Sequence, residues 1–140
     1  MERSQFTPEF FNEFGLEHFP AHLGVVVTHV LTGELRAEFK VQRTLLAPNG
    51  YLHAGSVVAL ADTCTGYGCI ANLPDGATGF TTLELKSNHL GTAREGIVEC
   101  VAKVAHLGKT TQVWDAIVTN KGSGKTIAIF RCTQMILYAK

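Results

Sequence analysis

One segment of the chain constrains its fold more than any other: the 20 residues from Ala54 to Leu73, which are almost all apolar or small. Their apolar residues do not alternate with polar ones as in a half-buried strand, and the length suits about five helical turns. A helix that is apolar all round has to be buried on every side. In a chain of 140 residues, such burial requires a sheet that wraps around the helix.

The residues on either side of this segment predict that sheet. Residues 23–31 are rich in β-branched side chains and residues 34–41 alternate between apolar and charged ones, so Thr32-Gly33 between them predicts a hairpin turn. Four more strands are predicted at residues 80–90, 97–106, 110–119 and 126–138, separated by short turns that contain glycine. Strands that follow one another through short turns pair antiparallel.

The predicted fold class is therefore α+β: a strongly curved antiparallel sheet around one long central helix, with residues 1–140 in a single domain. A short helix at about residues 7–15 precedes the sheet, because Thr7 suits its N-cap and Pro8 its first position. Gly15 can end this helix.

Charge and motifs exclude several classes of function. Twelve basic and twelve acidic side chains cancel, which gives no sign of a nucleic acid or membrane partner. The motifs of serine hydrolases, dinucleotide-binding domains and P-loops are missing, and the four cysteines are not spaced as zinc ligands. The first residues are polar, so we expect no signal peptide and a cytoplasmic protein with buried thiols. We also expect no metal and no cofactor.

Asp62 is the lone carboxylate of the predicted central helix. Burial of an unpaired carboxylate costs several kcal/mol or forces a proton onto it, so Asp62 is a candidate functional group. The alternative is a structural one, in which Asp62 pairs with a buried base or makes a hydrogen bond at an interface.

The start of the same helix is a second candidate. His53 precedes it, and the backbone amides of Ala54, Gly55 and Ser56 are expected to be unpaired there and to attract negative charge. His53 could equally be an ordinary loop residue. Asp62 lies eight residues beyond Ala54, about 12 Å along a helix. A site that uses both features therefore needs a second copy of the chain.

Four blocks of sequence resemble one family over roughly residues 22–138: HAGSVVALADTCTGYG, TTLELKSNHLGTAREG, HLGKTTQVWDAIV and IAIFRCTQMIL. They resemble the hotdog-fold acyl-CoA thioesterases, particularly the phenylacetate-degradation and 4-hydroxybenzoyl-CoA branches. The family motif is H-G-G with an acid nine residues after the His, and here it reads H-A-G with Asp62. The resemblance implies hydrolysis of aryl- or medium-chain acyl-CoA to free acid and CoA by a homodimer that assembles into a homotetramer.

The resemblance also implies roles for residues. Asp62 matches the general base or nucleophile, and the Ala54 amide, followed by Gly55, matches the donor that polarises the thioester carbonyl. His53 matches the residue that orients the thioester. The family Asn or Gln that places the attacking water stands six residues before the His, where this chain has Ala47, and Asn49 is the nearest substitute.

Further residues are matched to the substrate. Thr82, with Thr81 beside it, matches a position that faces the site, and the candidates for contacts with the substrate or the CoA phosphates are His89, Arg94, Lys109 and Thr110. Strand packing and solvated surface charge are the alternatives for these four. Two rival functions also stay open: a non-catalytic hotdog module that binds acyl-CoA, which Ala47 favours, and a hotdog hydratase.

Overall fold

The sheet of this chain is antiparallel throughout and carries the helix on its inner face. The computed structural model describes residues 5–140. In that part of the chain the strands are β1 (Val26–Leu31), β2 (Glu34–Lys40), β3 (Ala77–His89), β4 (Ile97–Leu107), β5 (Thr111–Asn120) and β6 (Thr126–Tyr138). They form a six-stranded sheet in the order β1-β2-β4-β5-β6-β3. The predicted α+β class, an antiparallel sheet around a long helix, is confirmed.

The central helix, α3, spans Ala54–Ala71 and packs against every strand of the sheet. It ends two residues earlier than predicted because Asn72 forms its C-cap and donates a side-chain hydrogen bond to Gly68 O at 2.8 Å. Helix and sheet are also in close contact at Gly68. A Cβ atom there would lie 2.7 Å from the Trp114 ring.

Two short helices precede the sheet. The first, α1, spans Pro8–Phe14, and the Thr7 side chain caps it by accepting a hydrogen bond from the Phe10 amide at 3.1 Å. The second, α2 (Phe19–His22), is not predicted by the sequence. It contains Pro20 in its first turn, where proline is tolerated, and it delays the start of β1 from residue 23 to Val26.

The edge strand β3 is the least covered element. It pairs with β6 on one side only, and none of its 13 side chains is buried. The stripe of α3 on this side is likewise only half-buried, and consists of Val58, Ala59, Asp62 and Thr63. The prediction that α3 is buried on every side is therefore wrong for the single chain, because a lone edge strand does not cover this stripe.

Candidate active site

His53 organises the start of α3. Its Nδ1 accepts a hydrogen bond from the Gly55 amide at 2.7 Å, and its backbone oxygen accepts one from the Ser56 amide at 2.9 Å. Because an amide N–H can only donate, Nδ1 of the neutral ring is unprotonated and the proton sits on Nε2. His53 therefore presents Nε2–H as a donor beside the helix start.

The Ala54 amide is the free donor of this helix start. The Val57 amide also turns to the backbone oxygen of His53, at 3.3 Å. Within residues 5–140, the Ala54 N–H has no hydrogen-bond acceptor. The prediction that Gly55 and Ser56 offer free amides as well is wrong, because the capping His53 occupies both. A free N–H at the positive end of a helix dipole suits a developing oxyanion.

Gly55 is required by the ring of His53. A Cβ atom on residue 55 would lie 2.9 Å from Nδ1. We expect Gly55→Ala to displace the ring, remove the cap and cost about 1 kcal/mol of stability. Loss of the oriented Nε2–H should lower kcat for thioester hydrolysis by about 10-fold or more. Steady-state kinetics with a thermal unfolding curve check this; Gly79→Ala, in open space on β3, is the control. An unchanged kcat would mean that the ring orientation is irrelevant to the reaction.

Asp62 lies in the half-buried stripe of α3. No side chain or backbone donor of residues 5–140 pairs with its carboxylate. Burial raises the pKa of Asp62 above its usual value. Since no basic group meets Asp62 within the described chain, the structural role of pairing with a buried base does not apply there.

Cys132 of β6 is the buried neighbour of this carboxylate. Burial, followed by the nearby charge of Asp62, raises the pKa of the Cys132 thiol to about 11, although the hydroxyls of Thr82 and Thr65 act in the opposite direction. Cys132 therefore stays a neutral thiol. Thr65 also donates its hydroxyl to the backbone oxygen of Asp62 at 3.2 Å. Neither Cys132 nor Thr65 was predicted as a site residue, because their proximity depends on how α3 lies on the sheet.

Asn49 and Arg94 lie in the loops beside the helix start. The Asn49 side-chain oxygen accepts a hydrogen bond from the Tyr51 amide at 3.1 Å, so it closes its own turn. Its side-chain N–H groups remain available. Arg94 lies over the Tyr51 ring at 4.7 Å, and Leu52 donates to Ala93 O at 2.9 Å, which ties this loop to residues 51 and 52.

Lys109 and Thr110 lie at the opposite end of α3. They line a cavity of about 1060 Å³ together with Leu73, Asp75, Ala77 and Tyr138, and the Tyr138 hydroxyl donates to Lys109 O. The lining includes neither His53 nor Asp62. A single chain therefore divides the predicted CoA contacts between the two ends of its central helix.

Thr81 and Thr82 of β3 face opposite sides of the sheet. Thr82 pairs with Gln134, a buried residue of the inner face, whereas Thr81 pairs with the exposed Met135. Thr81 therefore faces away from α3 in the single chain, because successive residues of a strand point to opposite faces, and its contact with the substrate stays a prediction. His89 pairs with Ala128, which is buried, so it lies on the inner face of the sheet.

Among residues 5–140, no group of three or more His, Cys, Asp or Glu side chains could hold a metal ion. In the same range, no helix combines the length and apolar character needed to cross a membrane.

A curved antiparallel sheet wrapped around one long helix defines the hotdog class of proteins, and solved structures agree. A thioesterase from Haemophilus influenzae superposes with a TM-score of 0.88 at 27% identity, covering 94% of this chain and 91% of that one. The thioesterase superfamily profile matches residues 49–127, a range that contains His53, Ala54 and Asp62. The chain belongs to the thioesterase superfamily, and its class of activity is thioester hydrolysis.

Sequence relatives agree with this assignment. A 1,4-dihydroxy-2-naphthoyl-CoA hydrolase from Listeria monocytogenes is 32% identical over 111 residues, which cover 79% of this chain and 89% of the relative. A 1,4-dihydroxy-2-naphthoyl-CoA hydrolase from Escherichia coli is 31% identical over 138 residues, or 96% of this chain and 98% of the relative. The similarity extends over nearly the whole chain.

Proposed function

We propose that this protein hydrolyses acyl-CoA thioesters in the cytoplasm, with Asp62 of one subunit and the Ala54 amide of its partner acting on the same thioester. One observation carries the proposal: a half-buried carboxylate without a partner and a free helix-start amide lie on the same open face of α3. The two groups lie about 12 Å apart along the helix, too far to hold one carbonyl within a single chain.

The open stripe supports a twofold dimer. Val58 lies midway between Ala54 and Asp62, four residues from each. A twofold axis at Val58 would place Asp62 of each copy opposite the helix start of the other copy. In a twofold dimer, if a residue of the first copy contacts a given residue of the second, the reverse contact also forms. The same face carries the free edge of β3, where Leu83 and Leu85 are 53% and 40% exposed. A long unpaired edge is a surface that proteins normally cover.

The outer face of the sheet supports a second pairing, into a homotetramer. Ile117 and Ile129 are neighbours across β5 and β6 on that face, and both are about half exposed. Exposed apolar side chains that form a contiguous patch mark interaction surfaces.

The reaction follows from the two groups. The Ala54 N–H donates to the thioester oxygen while Asp62 takes a proton from water, which attacks the carbonyl carbon. The C–S bond then breaks, and the thiolate of CoA leaves and takes up a proton, so that the products are the free acid and CoA. In the variant with Asp62 as nucleophile, the carboxylate forms an anhydride that water opens. His53 Nε2–H helps to orient the thioester.

A panel of aryl and straight-chain acyl-CoAs, read by capture of the released thiol, tests this function. We expect CoA release, with kcat/KM falling as pH drops through the pKa of Asp62, because only the carboxylate accepts a proton. Burial raises that pKa, so the loss should begin at a higher pH than for an ordinary aspartate. CoA binding without thiol release would instead indicate a binding module, and hydration of enoyl-CoA without thiol release a hydratase.

A further inference from the structure

A cavity of about 360 Å³ lies where the short helices α1 and α2 pack against β1 and α3. Strand β1 forms one edge of the sheet, and β3 forms the other. The described residues that line this cavity are mostly apolar, among them Phe11, Leu16, Pro20, Ala21 and Val26. None of them lines the larger cavity beyond the C-terminal end of α3, so the two cavities are separate.

Tyr67 of α3 contributes an unpaired polar group to this cavity. Of the described side chains that line it, only Asn12 and Tyr67 are polar. The Asn12 side chain is engaged, since it accepts from the Val27 amide at 2.8 Å and donates to Val27 O at 3.0 Å. Tyr67 is only 8% exposed, and its hydroxyl has no hydrogen-bond partner within residues 5–140. Buried hydroxyls are usually paired, so this one is suited to a ligand.

Packing fixes the direction of the Tyr67 hydroxyl. The Phe11 ring stacks on the Tyr67 ring, with the two centroids 4.7 Å apart. A Cβ atom on Gly15 would lie 2.8 Å from the hydroxyl oxygen, so glycine leaves room for this hydroxyl at the end of α1. Burial raises the pKa of Tyr67, and the hydroxyl therefore stays a neutral hydrogen-bond donor at neutral pH.

The cavity lies away from the proposed active site. Tyr67 follows Asp62 by five residues, which places the two side chains about 140° apart around the helix. Asp62 is close to Cys132 of β6, whereas Tyr67 contacts Phe11 of α1. A molecule in the cavity would therefore not compete with the thioester for the carboxylate.

We propose that this cavity is a second ligand site, for a small apolar molecule that carries one hydrogen-bond acceptor, such as a monocyclic aromatic ketone or ester. The apolar walls cover the hydrocarbon part of the molecule, and the Tyr67 hydroxyl donates to its oxygen. The bound molecule also covers Leu16 and Val26, which are 57% and 51% exposed in the free chain. An apolar cavity of this size with a well-placed polar group is typical of small-molecule sites.

A matched pair of probes tests the site in the wild-type protein. Acetophenone and α-methylstyrene have nearly the same shape, but only acetophenone carries an acceptor oxygen. In NMR titrations both should shift the backbone amides of Gly15 and Gly24, which line the cavity. Acetophenone should bind about 5–10-fold more tightly, the usual effect of one hydrogen bond. Equal affinities would overturn the role of the hydroxyl. Absence of binding, or shifts confined to Ala54 and Gly55, would overturn the site itself.

Two variants separate recognition by the hydroxyl from occupation of the cavity. Tyr67→Phe removes only an unpaired hydroxyl, so the two probes should bind equally while the unfolding temperature does not fall. Ala21→Phe places a ring in the cavity and should abolish the binding of both probes. An advantage of acetophenone that survives Tyr67→Phe, or probes that bind Ala21→Phe as they bind the wild type, would contradict the proposal. If Tyr67→Phe does not fold, Ala21→Phe and the wild-type pair decide. Binding needs no acyl-CoA, so its failure would leave the proposed hydrolysis untouched.

Discussion

Asp62→Asn is expected to lower kcat for the best acyl-CoA substrate by about 10²–10⁴-fold, since it removes the group that activates water. The fold should not suffer, because asparagine has nearly the same shape and no partner of the described chain is lost. Burial raises the pKa of Asp62, so folding free energy is lost as the pH rises from the ordinary aspartate pKa to the raised one, and the cost is complete above the raised pKa. Asparagine should therefore unfold at the same or a higher temperature at neutral pH.

The control for this variant is the same substitution at Asp115. Asp115 lies on the outer face of β5 in an exposed ion pair with Arg131, and such pairs contribute little stability. Asp115→Asn should keep wild-type kcat. If folded Asp62→Asn retained more than about a tenth of wild-type kcat, Asp62 could be neither the general base nor the nucleophile.

Ala54→Pro should reduce kcat by about 10²–10³-fold, the usual effect of losing one oxyanion donor. The substitution removes the N–H selectively. Residue 54 is the first of the helix, where proline is well tolerated. His53 already has the extended backbone, φ −65° and ψ 135°, that a residue before proline prefers. The Ala54 amide has no acceptor in the described chain, so stability should hold.

Ala54→Gly is the matched control for the proline variant, because it keeps the amide and restores the glycine of the family motif. It should retain wild-type activity or exceed it. A folded proline variant with wild-type kcat would mean that the oxyanion is stabilised by another group.

Local patterns were sufficient to predict most of the fold. Charged and apolar residues alternate in β2, and the uniform apolarity of α3 requires a covering sheet. Local patterns do not predict the order of the strands. β3 follows α3 in sequence but pairs with β6, at the edge of the sheet. That choice depends on packing across the whole chain, and it leaves the Asp62 stripe open.

The sequence predicts which residues form the site better than it predicts the contacts between them. Asp62 and Ala54 could be found because a lone carboxylate and a helix start are visible in sequence. The loss of the Gly55 amide depends on the His53 ring, and the outward direction of Thr81 depends on the register of β3 with β6.

A site shared between two subunits is the central claim, and mixing two inactive variants tests it most directly. Asp62→Asn and Ala54→Pro chains are combined in equal amounts, unfolded and refolded together, and assayed for thiol release from the best acyl-CoA. In a twofold dimer each mixed pair regains one intact site, so random reassociation should restore about a quarter of wild-type activity. Activity that stays at the level of the separate variants, with mixed dimers demonstrated, would contradict a shared site.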